Sequence, residues 1–280
     1  MQSPPDLTDR AALIRHRARA RRAPALFLHG LAADEIQERL TEVNRSFTAP
    51  AIVTGFPEMW RQCFPRARVV EDCETLELEP GTHDLVIHAL CLHWANDPVG
   101  QLVQCRRALR PDGLFLAVLF GGRSLHELRS ALAEAEVALT GGLSPRVLPM
   151  GEIRDLGALL QRAGYALPVA DSARHTVSYE TPVHLMRDLR AMGETNALAA
   201  RHRCIPSRAL FAEAARRYAQ AHAGPDGRIP ATAEMIYLAG WAPADTQPRP
   251  LPPGSASTRL ADALGTIERG VFGPGDRGSD

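Results

Sequence analysis

The sequence predicts an α/β fold built on a doubly wound, parallel, Rossmann-like sheet. Short apolar runs closed by glycine or polar residues alternate with helical periodicity along most of the 280 residues. Two of these runs, 83–94 and 114–122, are almost continuously apolar, as in strands covered on both faces. A sheet of this kind binds its ligands beyond the carboxyl ends of its strands.

The first half of the chain gives its elements in a regular order. They are a helix over 30–46, short strands at "PAIVTG" and "ARVVED", a strand over 83–94, a helix ended by Pro111 and Gly113, and a strand over 114–122. The carboxyl ends of these strands carry Gly55, Glu71-Asp72, Cys91–Trp94 and Gly121-Gly122. Ligand-binding groups are therefore expected among those residues.

The second half adds mainly helices before a last strand. Its predicted elements are helices over 125–139 and 152–163, a strand at "YALPVADSARHTVSY", helices over 182–192 and 206–222, and a strand at "ATAEMIYLAGW". We therefore divide the chain into an N-terminal helical arm (1–46), an α/β domain (47–243) with a helical insertion at about 182–225, and a tail (244–280). The tail is rich in Pro, Gly and Ser and is expected to be poorly ordered.

Composition excludes several classes of function. The formal net charge is zero, so nothing global favours nucleic acid or an anionic membrane as partner. No apolar run approaches the roughly 18 residues of a membrane span. The five cysteines are scattered and form no C-x-x-C, which argues against a disulfide framework or zinc knuckle and makes the cytoplasm the expected location.

The N-terminal run "RAALIRHRARARRAP" is strongly basic. It is interpreted first as a solvated helix face, with a partner-binding arm and a targeting segment as alternatives. A targeting role would imply the mitochondrial matrix rather than a bacterial cytoplasm.

Several longer motifs resemble one known family. They are "LHWANDP", "LRPDGLFLAVLFGG", "GGLSPRVLP", "LLQRAGYALPVAD", "LMRDLRAMGETNAL" and "IPATAEMIYLAGWAP". Together they resemble the methyltransferase-fold assembly factor of respiratory complex I, a protein-arginine hydroxylase, and its bacterial relatives. More distantly they resemble the carrier-protein O-methyltransferases of biotin synthesis. The resemblance covers roughly residues 8–258 and implies a class I S-adenosylmethionine (SAM) methyltransferase fold, with SAM as cofactor and a protein as partner.

The resemblance fails at the first loop. The family has an acid in the first strand and then G-x-G-x-G around the methionine end of SAM, whereas this chain has "AIVTGFPE". Only Gly55 is left, and Pro57 has no N–H to donate. We expect Phe56 and Trp60 to fill the space of the cofactor.

The same region is also too short. Asp72 matches the family's third-strand acid by its distance from Asp84, yet only thirteen residues separate Gly55 from Val69. A helix, a second strand with its ribose-binding acid and a further helix do not fit. One β-α unit is therefore predicted to be missing, and Glu71 could replace the lost acid only if the strands were re-registered.

The resemblance also supplies candidate site residues. It places Gly55, Asp72, Cys91 and Leu92 around the cofactor. His93 is a candidate general base, with Trp94 and Asn96 beside it at the rim; alternatively Trp94 packs under the next helix, which Asn96 or Asp97 caps.

Substrate or partner contacts are expected at Gly121, Gly122, Arg146 and Asn196, with Glu194 beside Asn196 in a channel. A plain turn at the two glycines and a helix-terminus role for Asn196 are the alternatives. His83, His88 and His93 alternate faces on a strand, so no metal site is expected.

Two hypotheses of function follow. The first is a SAM-dependent enzyme that transfers methyl groups or modifies arginine, with Asp72, His93, Trp94 and Gly55 around the ligand. The second is a pseudoenzyme that has lost SAM and binds a complex I subunit or regulates an active paralogue. The short 55–70 segment favours the second, and the preserved rim motifs "LHWAND" and "LFGG" favour the first.

Overall fold

The computed structural model describes residues 6–248, 262, 265 and 266. Residues 1–245 form one compact unit and 246–280 are grouped separately. The predicted tail thus lies almost entirely outside the described residues. None of the helices in the described ranges combines the length and apolar character that a membrane crossing requires.

A six-stranded sheet forms the centre of residues 1–245. Its spatial order is β2-β1-β3-β4-β6-β5. The first four strands are parallel, while β6 is antiparallel to both β4 and β5. The strands are β1 (Pro50–Thr54), β2 (Arg68–Glu71), β3 (His83–Ala89), β4 (Leu109–Phe120), β5 (Ala166–Tyr179) and β6 (Ile229–Trp241).

Eight α-helices occur in the described residues. They are α1 (Arg10–Ala20), α2 (Phe27–Glu42), α3 (Pro57–Cys63), α4 (Pro98–Ala108), α5 (His126–Thr140), α6 (Ile153–Arg162), α7 (Pro182–Ala191) and α8 (Arg208–His222). Four of them begin with a side-chain cap: Asp9, Asp97, Thr181 and Ser207 accept hydrogen bonds from backbone N–H groups in the first turns of α1, α4, α7 and α8.

The predicted doubly wound α/β sheet is confirmed, with three local differences. β3 ends at Ala89, because Leu90 has a left-handed φ of 49° and 92–94 form a 3-10 turn. β4 begins at Leu109, five residues earlier than expected. The helix α3 was not predicted, since its seven residues are too few to show a clear period.

The strand β2 lies directly beside β1. Ile52 is paired with Val69 and Thr54 with Glu71, so β2 is the edge strand of the described sheet. The connection between the two strands holds only α3. This arrangement agrees with the predicted loss of one β-α unit, and it brings Asp72 one strand closer to the centre of the sheet.

The two faces of the sheet bury separate apolar clusters. One face packs against α4 and α6 through Leu102, Cys105 and Leu160. The other packs against α2 and α3 through Ile36 and Trp60. Burial of these side chains removes apolar surface from water, which is the main stabilising contribution to a core.

The remaining helices gather at one end of the sheet. Helices α5, α7 and α8 share a third cluster with the adjoining ends of β5 and β6. The segment predicted as an N-terminal arm belongs to the same compact unit as the sheet. Its α1 packs beside Trp94 and Leu198, and Thr8 forms an isolated antiparallel bridge with Leu198.

Candidate functional site

The carboxyl ends of β1, β3 and β4 meet at one edge of the sheet, as parallel strands must. Gly55 follows β1, the 3-10 turn Leu92–Trp94 follows β3, and Gly121 follows β4. The predicted candidates from these three segments therefore lie along the same edge.

The first loop turns straight into α3. Phe56 precedes that helix and is 3% exposed, and Trp60 within it is fully buried. Trp60 donates its indole N–H to Nδ1 of His29 at 3.1 Å, and the His29 ring meets Phe56 edge-on at 5.1 Å. Burial lowers the pKa of His29 to about 3, so its imidazole is neutral.

The side chain that covers Gly55 is Arg17, from α1. A Cβ at Gly55 would lie 2.5 Å from both Cζ and Nε of Arg17. Phe56 lies nearby, because a Cβ at Gly193 would meet both its ring and Arg17. Trp60 instead packs in the core with α2. We expected Phe56 and Trp60 to lie together at the first loop. The side chains found there are Arg17 and Phe56.

Arg17 is 4% exposed, which corrects the interpretation of the N-terminal run as a solvated face. The sequence did contain a signal for this. Leu13, Arg17 and Ala20 follow the i, i+4, i+7 spacing of a buried helix face, so the arginine interrupts an apolar stripe.

Asp72 neutralises this buried arginine. Its Oδ1 lies 2.5 Å from Nη1 of Arg17, and its Oδ2 lies 3.2 Å from Nη1 of Arg10. Arg10 also donates to the Asp72 carbonyl. Burial alone would raise the pKa of the Asp72 carboxyl, but the two guanidinium groups hold it below its ordinary value. The same ion pair raises the pKa of Arg17 despite its burial.

His93 and Trp94 converge on Glu194, a residue 100 positions further along the chain. The Trp94 indole N–H donates to Oε2 of Glu194 at 2.7 Å, and Nε2 of His93 lies 3.3 Å from the same oxygen. Burial would raise the pKa of Glu194, but His93, Arg17 and Trp94 together hold it below its ordinary value. Glu194 is therefore a buried carboxylate with two ring partners.

Asn96 holds the N-terminal segment rather than joining His93. Its Oδ1 accepts from the Thr8 N–H at 2.8 Å, and its Nδ2 donates to the Thr8 carbonyl at 3.2 Å. Asp97 caps α4 by accepting from the Gly100 N–H at 2.8 Å. The capping alternative thus describes Asp97.

Cys91 and Leu92 are core residues. Both are at most 2% exposed and belong to the cluster under α4. The Cys91 thiol lies 3.3 Å from Nδ1 of His88, and burial raises its pKa well above the ordinary value. A thiol held in this way is not a nucleophile.

The glycines after β4 pack against the protein itself. A Cβ at Gly121 would lie 2.3 Å from Cδ1 of Ile236, and one at Gly122, whose φ is +51°, would meet the Glu234 carboxylate. Arg123 donates its backbone N–H to that carboxylate at 2.9 Å. These contacts support the plain turn.

A cavity of about 660 Å³ opens beside this edge, between the ends of β4 and β6 and the helices α5 and α7. His93, Trp94, Glu194, Arg146 and Asn196 all line it. Gly55, Asp72, Cys91, Leu92, Asn96, Gly121 and Gly122 do not line it. The predicted site residues are thus divided between the filled first loop, the core and this cavity.

Arg146 and Asn196 both have protein partners at the cavity wall. Arg146 forms two hydrogen bonds to Glu136, at 2.6 and 3.0 Å, and thereby holds the pKa of Glu136 at about 2. Asn196 donates to the Pro145 carbonyl at 2.9 Å and accepts from the Leu198 N–H. No group of three or more His, Cys, Asp or Glu residues that could hold a metal ion occurs in the part of the chain that the structure describes.

Comparison with known proteins agrees with this architecture. A family model described as "Methyltransferase domain" matches residues 29–117. The "Arginine-hydroxylase NDUFAF5, mitochondrial" of Danio rerio is 35% identical over 245 residues, which are 87% of this chain and 76% of that protein. This chain belongs to the NDUFAF5 family. The resemblance inferred from the motifs is therefore confirmed, as is the class I SAM methyltransferase fold.

Other relatives extend the NDUFAF5 family match. The Homo sapiens protein of the same name is 38% identical over 213 residues, or 76% of this chain and 61% of that protein. The "Malonyl-[acyl-carrier protein] O-methyltransferase" of Xylella fastidiosa is 36% identical over 179 residues, or 64% of this chain and 58% of that protein. The chain thus spans about three fifths of each of these two relatives.

The ion pair under the first loop predicts a strong energetic coupling. Arg17→Met leaves the Asp72 carboxylate buried with Arg10 alone, and we expect it to lower the free energy of unfolding by about 3–5 kcal/mol. Asp72→Asn should cost a comparable amount. The double variant should cost clearly less than the sum of the two, as measured by urea denaturation in a double-mutant cycle. Additive losses would contradict a direct interaction.

His29 predicts a pH dependence of stability. Its folded-state pKa lies below its ordinary value of 6.5, so the unfolded chain binds the extra proton and stability falls as the pH drops below 6.5. In His29→Gln, an amide oxygen accepts from Trp60 without titrating. The slope of unfolding free energy between pH 6.5 and about 4.5 should become shallower by up to about 1.4 kcal/mol per pH unit. An unchanged slope would show that His29 binds protons equally in the folded and unfolded states and would contradict the lowered pKa.

Proposed function

We propose that this member of the NDUFAF5 family does not use SAM and acts by binding a partner protein. The observation that carries the proposal is the Arg17 guanidinium against Gly55, paired with the buried Asp72. The first loop is where a class I methyltransferase brings bare backbone to its cofactor. In this chain the Arg17 side chain lies against that backbone instead.

The residues at the first loop do not fit SAM. Gly55 is the only glycine there, and its carbonyl accepts from Arg21 at 2.9 Å. Both carboxylate oxygens of Asp72 are bound by arginines, and Glu71 is paired with Arg21 at 2.9 Å. An acid that binds ribose hydroxyls must offer free acceptor oxygens. Asp72 cannot offer them without loss of an ion pair, and Glu71 has one of its two oxygens paired with Arg21.

A SAM-dependent methyltransferase, or an enzyme that modifies arginine, is the second candidate. It is favoured by His93, which lies at the rim and lines the cavity. Against it, His93 and Trp94 both hold Glu194, and Asn96 holds Thr8. The preserved rim motif therefore has a structural explanation that needs no catalysis.

A protein is the partner that the family favours. The resemblance implies a subunit of respiratory complex I, or an active paralogue, and the NDUFAF5 relatives carry the designation mitochondrial. Two large apolar side chains, Leu143 and Ile205, are 68% and 96% exposed in the loops that flank the cavity wall. Exposed apolar side chains of this size are available for contact with a partner. The working location is the bacterial cytoplasm or, alternatively, the mitochondrial matrix.

Calorimetric titration with SAM tests the cofactor half of the proposal. We expect no heat of binding up to about 1 mM SAM, because binding must break the Arg17–Asp72 pair. Circular dichroism should show the same chain folded, and an authentic carrier-protein O-methyltransferase serves as positive control. Micromolar binding that Asp72→Ala abolishes would overturn this half and restore the enzyme hypothesis.

Deletion of the gene in its source organism tests the partner half. We expect assembled complex I, measured on native gels, to fall, because an assembly factor acts through its contact with a subunit. Arg17→Lys, which keeps the buried charge, should restore assembly when it is reintroduced. Unchanged complex I in the deletion strain would refute the complex I assignment and leave the SAM result unaffected.

A further inference from the structure

We infer that the 660 Å³ cavity binds a small amphipathic anion, an acyl chain with a carboxylate head. Its volume falls within the roughly 300–1,000 Å³ of small-molecule sites. The inference goes beyond the proposed function and does not depend on it, because Arg10, Arg17, Gly55 and Asp72 do not line the cavity.

The inner wall of the cavity is apolar. Phe120 at the end of β4, Leu128 and Leu132 on α5, and Leu148 in the following loop are each at most 7% exposed and line it. Among the described residues of the lining, Glu194 is the only carboxylate, and it is already bound to His93 and Trp94. Such a wall can bury a hydrocarbon chain but provides few hydrogen-bond partners for a polar group.

The mouth of the cavity is basic. Arg187 and Arg190 are exposed on α7 and line it, and neither guanidinium group forms an ion pair or hydrogen bond within the described residues. The two other lining arginines are neutralised, since Arg146 is paired with Glu136 and Arg201 with Asp9. The unpaired positive charge of the described lining therefore comes from Arg187 and Arg190 on α7.

Arg187 and Arg190 stand three residues apart, which places them as neighbours on one helix face. Like charges at this spacing repel each other and weaken a helix, whereas an anion held between them removes that repulsion. Guanidinium groups present planar forks of donors that match a carboxylate. A ligand with both groups would therefore place its apolar chain against the inner wall and its carboxylate beside the two arginines of the mouth.

A substitution at Val183 can block the entrance of the cavity. It lies one turn before Arg187 on α7, lines the mouth and is 41% exposed. A larger side chain there is expected to close the entrance without disturbing a buried position.

Displacement of a fluorescent fatty acid from the full chain tests the inference. The competitors share a twelve-carbon chain and differ in the head: dodecanoate, dodecyl phosphate, dodecanol and dodecylammonium. Dodecanoate should bind one-to-one and at least roughly tenfold more tightly than dodecanol, since the alcohol loses the charge-assisted contact with the arginines. Dodecylammonium should not compete. Equal binding of the acid and the alcohol would overturn the role of the arginines.

Matched variants separate charge from shape. Arg187→Gln with Arg190→Gln should weaken dodecanoate roughly tenfold and leave dodecanol unchanged. Arg154→Gln is the control, because Arg154 is exposed on α6, outside the cavity lining. Val183→Trp should weaken both ligands. Unchanged binding in the double variant or in Val183→Trp would refute this site.

Vesicles of phosphatidylglycerol distinguish a free acyl anion from a membrane lipid. We expect the chain to remain in the supernatant when such vesicles are sedimented. Sedimentation with vesicles together with failure to bind dodecanoate would overturn the inference in favour of a lipid surface. Tighter binding of dodecyl phosphate than of dodecanoate would overturn the choice of a carboxylate head.

Discussion

The buried ion pair between Asp72 and Arg17 is the interaction on which this edge of the protein depends. A carboxylate that is 8% exposed is very costly without a partner, and a methyltransferase ordinarily gives such an acid a ligand to bind. Here the partner is a guanidinium of the same chain. Arg10, two turns before Arg17 on α1, also binds Asp72, and Arg21, which directly follows α1, binds Glu71. Ion pairs therefore attach α1 to the sheet.

The shortened connection after β1 explains why this pair can form. With only α3 between them, β1 and β2 are adjacent, so Asp72, which directly follows β2, lies close to Gly55 instead of one strand further out. An arginine that covers Gly55 then reaches Asp72 with the same guanidinium. The short connection, the single glycine of the first loop and the burial of Arg17 therefore fit one another, since Arg17 without Asp72 would be an unpaired buried charge.

Sequence alone predicted most of the fold and less of the site. The strands β3, β4 and β6 and the helices α5 to α8 followed from periodicity and from glycine or proline at their ends, which are local signals. Pairings between distant residues have no local signal. Arg17 meets Asp72 across 55 positions and Trp94 meets Glu194 across 100. Composition made the arginine look solvated, and only its place on an apolar stripe indicated otherwise.

The two sides of this sheet edge are built differently. At the first loop, Arg17 covers Gly55 and is paired with the buried Asp72. On the other side, His93 and Trp94 fix Glu194 just after α7, so the same contacts that keep the rim motif also hold the helix that carries Arg187 and Arg190. Retention of "LHWAND" is therefore expected in a protein that keeps the cavity, whether or not any chemistry takes place there.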